Sequence, residues 1–380
     1  MNITPAFSHL IETEFPQSED IIYLNHAGIG PWPKRTADVI KAFAEENLRV
    51  GATHYPDWAK TEQELRYNLK TLINAPSVDD IALLKNTSEA LSVIAYGIDW
   101  KKGDNIVTSN QEFPSNRIVW QSLHNQGVEL REAELASQAT PEEALFAQVD
   151  NKTRMITISA VQFASGLKVD LKRIGQFCHE HNLLFCVDAI QHIGAFPFDV
   201  QAIQAHFVMA DGHKWMLGPE GLALLYVHPD KRDQLKLYQF GWHMVEHAHD
   251  FNNRDWVPAH SARRFECGSP NMLGVYGLNA SVSLLLQLGM KNIERIIIKN
   301  TKHLIDYIDK TDMLELISSR SENQLSGIVI FRHKQRGSEE LYKQLMASGV
   351  ICAPRGGGIR FSPHCYISLD KLDHALTCIG

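Results

Sequence analysis

The sequence predicts an α/β protein. A mostly parallel sheet is covered by helices on both faces, and a smaller α+β domain follows it. Three observations carry this expectation. Near-continuous apolar runs of strand length recur along the chain, as strands buried on both faces require. Helical patterns alternate with those runs. After about residue 288 the alternation stops, and a long helix and short strand-like runs take over.

The elements follow in order. NIVT (105–108) reads as a strand after the Gly103-Asp104 turn, and MITISAV (155–161) as a second. An amphipathic helix over about 170–181 leads into a third strand, LLFCV (183–187). HFVMA (206–210) and GLALLYV (221–227) are the fourth and fifth. Beyond them come a long helix over about 293–309, strands at 327–333 and 350–353, and a helix between them over 339–348. A last strand at 358–362 leads to a closing helix from Leu369. No flexible linker separates the parts, so close packing is expected. The expected division is an N-terminal segment, 1–18, packing with the small domain, a large domain, 19–287, and a small domain, 288–380.

Composition narrows the function. Hydrophobic residues make up 44% and charged residues 21% of 380, which excludes a disordered chain. Lys plus Arg number 37 against 44 Asp plus Glu, a formal charge of −7 that argues against nucleic-acid binding. No apolar run approaches the roughly 18 residues of a membrane span, so no membrane partner is expected. The N-terminus has neither a basic stretch nor an apolar core, which points to the cytoplasm. Six cysteines, at 178, 186, 267, 352, 365 and 378, form no CxxC pair and read as reduced thiols.

In parallel sheets ligands bind beyond the carboxyl ends of the strands. Two segments there carry chemistry. DGHKW (211–215) puts Lys214 just past a strand end and before a Gly218-Pro219 turn. A lysine in a closed pocket loses basicity through desolvation and can form a Schiff base. VDAIQ (187–191) ends the strand before, with Asp188 26 residues upstream of Lys214, about one strand–helix–strand repeat. Asp188 and Lys214 therefore emerge on one rim. That pair suits pyridoxal phosphate (PLP): the carboxylate keeps the pyridine nitrogen protonated, and the lysine holds the aldehyde. Gln191 could reach the phenolic oxygen. KNTSEA (85–90) opens a helix, and hydroxyls with free N–H groups at such an end make an anion site.

Several separated motifs resemble the class V aminotransferase-type PLP enzymes of fold type I, which include cysteine desulfurases, selenocysteine lyases and isopenicillin N epimerases. They are YLNHAGIGPWP (23–33), NTSEA (86–90), EFPSN (112–116), VDAIQ (187–191), DGHKW (211–215), RFECGSPN (264–271) and GIRFSPH (358–364). The resemblance runs from about Tyr23 to Leu376. It implies a seven-stranded, mostly parallel sheet and a homodimer with shared active sites. It implies Lys214 as the lysine bound to the cofactor, Asp188 as the pyridinium partner, and Gln191 at the phenolic oxygen. Thr87, Ser88, Asp211 and His213 belong around the cofactor and its phosphate, and Ser269 to the phosphate of the neighbouring subunit. Arg360 matches the arginine that holds the substrate carboxylate, with Asn25 and His26 approaching the substrate. Phe113 stands where desulfurases stack a histidine on the ring, and Phe163 where many relatives place an asparagine.

The implied activity acts on an amino acid through an external aldimine and an α-carbanion. Desulfurase or C–S lyase chemistry is expected first, with transamination or epimerisation as alternatives. The cysteine nucleophile of desulfurases is missing from its usual place. Cys352, eight residues before Arg360, sits in an apolar run that reads as a buried strand. Whether any cysteine carries a persulfide is left open by the sequence, and β-elimination needs no such thiol. HMVEH (243–247) fits an H-x-x-E-H zinc pattern, but its polar surroundings read as a loop near the active-site mouth, so no metal is expected. No GxGxxG follows a strand, which removes a dinucleotide enzyme.

Overall fold

The structure is a computed structural model that describes residues 5–380. Seven strands form the central sheet, in the spatial order Ile81–Leu84, Ala223–Val227, Phe207–Asp211, Leu184–Asp188, Thr153–Ser159, Asn105–Ser109 and Glu129–Ala133. Every neighbouring pair from Phe207–Asp211 onward is parallel, while Ala223–Val227 runs antiparallel to both of its neighbours. The middle strands are buried almost throughout, which is why they read as unbroken apolar runs. Helices cover the faces. Thr87–Gly97 and Leu171–Glu180 are each capped by a side chain, from Asn86 and Asp170, that accepts a free N–H of the first turn. Lys34–Val50 and Tyr55–Leu72 pack against Met272–Leu288.

The chain bends by 82° between the helices Met272–Leu288 and Met290–Lys310, at Gly289 with φ +79°. A second body follows. Its four-stranded antiparallel sheet has the order Ala353–Arg355, Gly358–Phe361, Val329–His333, Leu314–Leu316, with helix Ser338–Ala347 against it and helix Leu369–Thr377 against Met290–Lys310. The two bodies share elements. Ile293, Ile296 and Ile297 pack into the core of the large sheet, whereas Leu304, Ile305 and Ile308 of the same helix pack into the second core. From the other end, Ile22–Tyr23 pairs in parallel with Val350–Ile351.

Residues 7–17 touch both bodies; residues 1–4 of the expected N-terminal segment lie outside the described residues. Phe7, Leu10, Ile11 and Phe15 pack on the large core, while Phe15 stacks on Tyr366 at 4.0 Å and the Gln17 amide donates to the Tyr366 hydroxyl. No single helix among the described residues is long and apolar enough to cross a membrane.

Candidate active site

Asp188 and Asp211 end adjacent parallel strands, with Asp188 in register with Met209. Past Asp211 the chain turns sharply and presents Lys214 on the same rim. Backbone hydrogen bonds hold the turn: Leu217 N–H donates to the Lys214 carbonyl, and Gly218 N–H to that of Gly212. Leu217 is in the left-handed region at φ +60°, a strain of about 1–3 kcal/mol that persists only where packing over-determines it. Here Leu217 is fully buried and its carbonyl accepts from Ser281. Gly30 donates to the His213 carbonyl at 2.7 Å, and a Cβ on Gly30 would lie 2.3 Å from the Lys214 carbonyl. Only glycine permits that approach.

Lys214, Asp188, Gln191, Thr87, Ser88, Phe113, Asp211, His213 and Arg360 all line one cleft of about 430 Å³. This is ample for a small-molecule site. Burial lowers the Lys214 amine to about 8, with Asp188 opposing the shift and Arg360 reinforcing it. Burial lifts the Asp188 carboxyl to about 7, opposed by the Ile190 N–H it accepts and by Lys214. Both are almost sealed, at 9% and 2% exposure. Gln191 is fixed at both ends, its amide donating to the Ala27 carbonyl and accepting from the Trp215 indole. One amide hydrogen stays free for a ligand.

At the far end, helix Thr87–Gly97 points its first turn into the cleft. The Thr87 hydroxyl accepts from Asp211 N–H, Ser88 donates to Ser115, and His213 Nδ1 lies 2.8 Å from Asp211 Oδ1. Hydroxyls, an imidazole and free N–H groups make an anion cradle. The Lys214 amine lies 5.5 Å from the centre of the Phe113 ring, which meets Phe163 edge-on. A carboxylate, an amine, an amide, an aromatic platform and an anion cradle within one cleft fit PLP.

Arg360 enters from the second body. It is 4% exposed, and its partners are neutral: the Phe163 carbonyl at 3.1 Å and Asn25 Oδ1 at 3.2 Å. Its Nε has no hydrogen-bond partner among the described residues. Burial lowers its pKa to about 10, with Arg355 adding to the shift. A sealed guanidinium with no acidic partner among the described residues is chemically suited to a carboxylate.

Asn25, His26 and Ser269 are not among the residues that line this cleft. Asn25 meets the cleft through Arg360, which it positions. His26 is fully buried and points away, with Nδ1 2.8 Å from the Ser362 carbonyl and Nε2 2.6 Å from the Tyr366 hydroxyl. Both ring nitrogens are thus occupied, and its neighbours Ala27 and Gly28 line the cleft instead. Ser269 is exposed in a separate groove with Lys85 and Glu89.

Sequence reasoning missed Ser115, Asn86 and Arg355 in the cleft lining, and Glu112 behind it. The buried Glu112 carboxylate accepts from Ser159 N–H and hydroxyl, Gln162 and Asn116. It anchors the loop that turns Phe113 and Ser115 inward. The signal was present in EFPSN, a charged residue beside apolar ones. The 243–247 segment is not helical. Glu246 accepts from His260 N–H, while His243 faces Glu266. Glu62, His243 and Glu266 do converge, but the Arg66 guanidinium already bridges the two glutamates at 2.5–2.7 Å. None of the six cysteines lines the cleft. Cys352 is 3% exposed, and burial pushes its thiol up to about 12.

The aminotransferase class-V family model matches residues 22–372. The chain belongs to the class-V aminotransferase family. A probable cysteine desulfurase of Methanothermobacter thermautotrophicus is 31% identical over 95% of this chain and 88% of that protein. Among solved structures, an apo cysteine desulfurase from Thermococcus onnurineus NA1 superposes with a TM-score of 0.86 at 23% identity, covering 99% and 97% of the two chains. The cystine C–S lyase C-DES, in complex with its reaction product cysteine persulfide, gives 0.89 at 21% identity over 96% and 99%. These neighbours share the α/β fold, with its mostly parallel central sheet and C-terminal sheet. The chain is a PLP-dependent enzyme, and its relatives include cysteine desulfurases.

Proposed function

We infer that this class-V enzyme cleaves a carbon–sulfur bond at the β-carbon of an amino acid by elimination, without a protein-bound persulfide. The observation that carries the reading is the cleft itself: it joins an amine, a carboxylate and an uncompensated guanidinium, and holds no thiol. PLP, when bound, supplies the electron sink that makes the α-proton acidic. The chain supplies the rest. Arg360 holds the α-carboxylate and so fixes which substituent stands over the Phe113 face. The Lys214 amine, of lowered basicity, moves the proton at the α-carbon. Asp188 holds a proton or a positive charge at the cleft floor. Thr87, Ser88 and His213 anchor the phosphate end.

Ser269 is exposed and lies outside its own cleft, which supports its expected role toward a partner's phosphate. The working unit is then a homodimer. The chain divides at Gly289 into a large and a small domain, and the protein acts in the cytoplasm. Purified protein loaded with PLP should release sulfide, pyruvate and ammonia from cysteine, and cysteine persulfide, pyruvate and ammonia from cystine. Alanine in place of pyruvate would mark a desulfurase. Transfer of the amino group, or racemised substrate, would mark the alternative outcomes. Release of neither sulfide, pyruvate nor alanine would end the carbon–sulfur reading.

A further inference from the structure

We propose that Trp215 is a positioning residue for the cofactor: it sets the Gln191 amide so that Gln191 meets PLP only as a hydrogen-bond donor. This role rests on PLP in the cleft and on Gln191 at its phenolic oxygen, and is independent of which bond the enzyme breaks. Two partners of fixed polarity hold the amide. The Trp215 indole can only donate, so at 2.8 Å it must face the amide oxygen. The Ala27 carbonyl can only accept, so at 3.0 Å it must face the amide nitrogen. The two ends of a glutamine amide have nearly the same shape. Here an exchange would set donor against donor and acceptor against acceptor. Gln191 is 3% exposed and lines the cleft. With its oxygen turned to Trp215 and one hydrogen given to Ala27, it has one N–H left to offer a ligand.

Trp215 is itself braced. It is fully buried, and a Cβ on Gly327, just before strand Val329–His333, would lie 2.4 Å from the far edge of its ring. A Cβ on Gly194 would lie 2.3 Å from its carbonyl oxygen. That carbonyl also accepts from His364 Nε2 at 3.2 Å; since a carbonyl only accepts, this nitrogen carries the ring hydrogen. Gly327 and His364 belong to the second body, so the indole is held from there as well as by its own turn. Lys214 and Trp215 are adjacent. The turn that offers the amine to the cofactor therefore also carries the indole that governs the amide. The sign of the effect follows from donation. An N–H directed at the phenolic oxygen stabilises negative charge there, most of all when the neighbouring lysine-bound nitrogen has lost its proton. It lowers the pH at which that proton leaves. An amide free to swing would let the proton stay to higher pH.

The test is a pH titration of the visible cofactor band in PLP-loaded protein without substrate. Gln191→Leu should raise the midpoint by about 0.4–1 pH unit, the worth of one hydrogen bond. Trp215→Phe keeps an aromatic ring and loses the N–H, and should raise it by roughly half as much or more. The double variant should match Gln191→Leu alone, because Trp215 acts through Gln191. The charged groups of the cleft, Asp188, Asp211, His213, Lys214, Arg355 and Arg360, are the same in all three variants, so differences among them report the amide. An unmoved midpoint in either single variant overturns the proposal. So does a Trp215→Phe shift that persists undiminished in the Gln191→Leu background, which would mark a packing effect. Should Trp215→Phe fail to fold, the indole N–H resonances of the seven tryptophans decide the matter in cofactor-free protein. One should move upfield in Gln191→Leu, and a spectrum in which none moves overturns the proposal. With no substrate present, neither result bears on the carbon–sulfur reading.

Discussion

Replacing Arg360 with methionine separates a binding role from a structural one. The guanidinium is buried with a pKa of about 10 against an ordinary 12.5. At about 1.4 kcal/mol per unit, keeping its charge in the folded protein costs roughly 3 kcal/mol. Because the folded pKa lies below the unfolded one, that cost is fully present below pH 10 and fades only as the pH rises toward 12.5. Methionine removes it. The change also leaves the Phe163 carbonyl and Asn25 Oδ1 without their donor, at about 1 kcal/mol each. The terms nearly cancel, so the variant should unfold within about 1–2 kcal/mol of the parent in urea. Carboxylate binding should fare differently. Truncating one partner of a buried charge pair costs about 2–5 kcal/mol, or roughly 30-fold to several thousand-fold in affinity. Titration of the PLP-loaded variant with an amino acid at pH 7.5, read by cofactor absorbance, measures that loss. A variant that unfolds much more easily while binding its ligand normally would make Arg360 a structural strut and refute the clamp.

Other expectations follow from the same geometry. Lys214→Ala should lose the visible band of lysine-bound cofactor and keep its far-ultraviolet circular dichroism; a retained band would contradict the assignment. In cofactor-free protein, Asp188 takes up a proton more readily when folded, so stability on its account should fall from about pH 4 to pH 7. Asp188→Asn should flatten that slope in urea unfolding across the range, and an unchanged slope would show that the carboxyl is not the source. Cys352→Ala should retain sulfide release within about twofold, since the thiol is sealed outside the cleft; loss of activity in a folded variant would revive a persulfide route.

The fold was legible where burial erased alternation. The runs containing Leu184–Asp188 and Phe207–Asp211 stood out as strands because neither face meets water. Glu129–Ala133 escaped notice because it is an edge strand: ELREA has helix-forming, partly exposed residues, and its pairing with Asn105–Ser109 decides its conformation. Ile81–Leu84 is too short to carry a period, and its strand character comes from pairing with Ala223–Val227. In the cleft, Lys214 and Asp188 were readable because strand ends position them directly. The orientation of His26 was not. Its neighbours along the chain enter the cleft, while its own ring is drawn away by Ser362 and Tyr366, more than 300 residues distant. Contacts of that range leave no local trace in the chain.

Arg360 grows from the second sheet, yet it grips the Phe163 carbonyl beside the large one and Asn25 near the chain's start. The residue that awaits a ligand therefore already rivets the two bodies together. On the role proposed for Arg360, the arm that receives an amino acid's carboxylate is anchored from both bodies before the amino acid arrives.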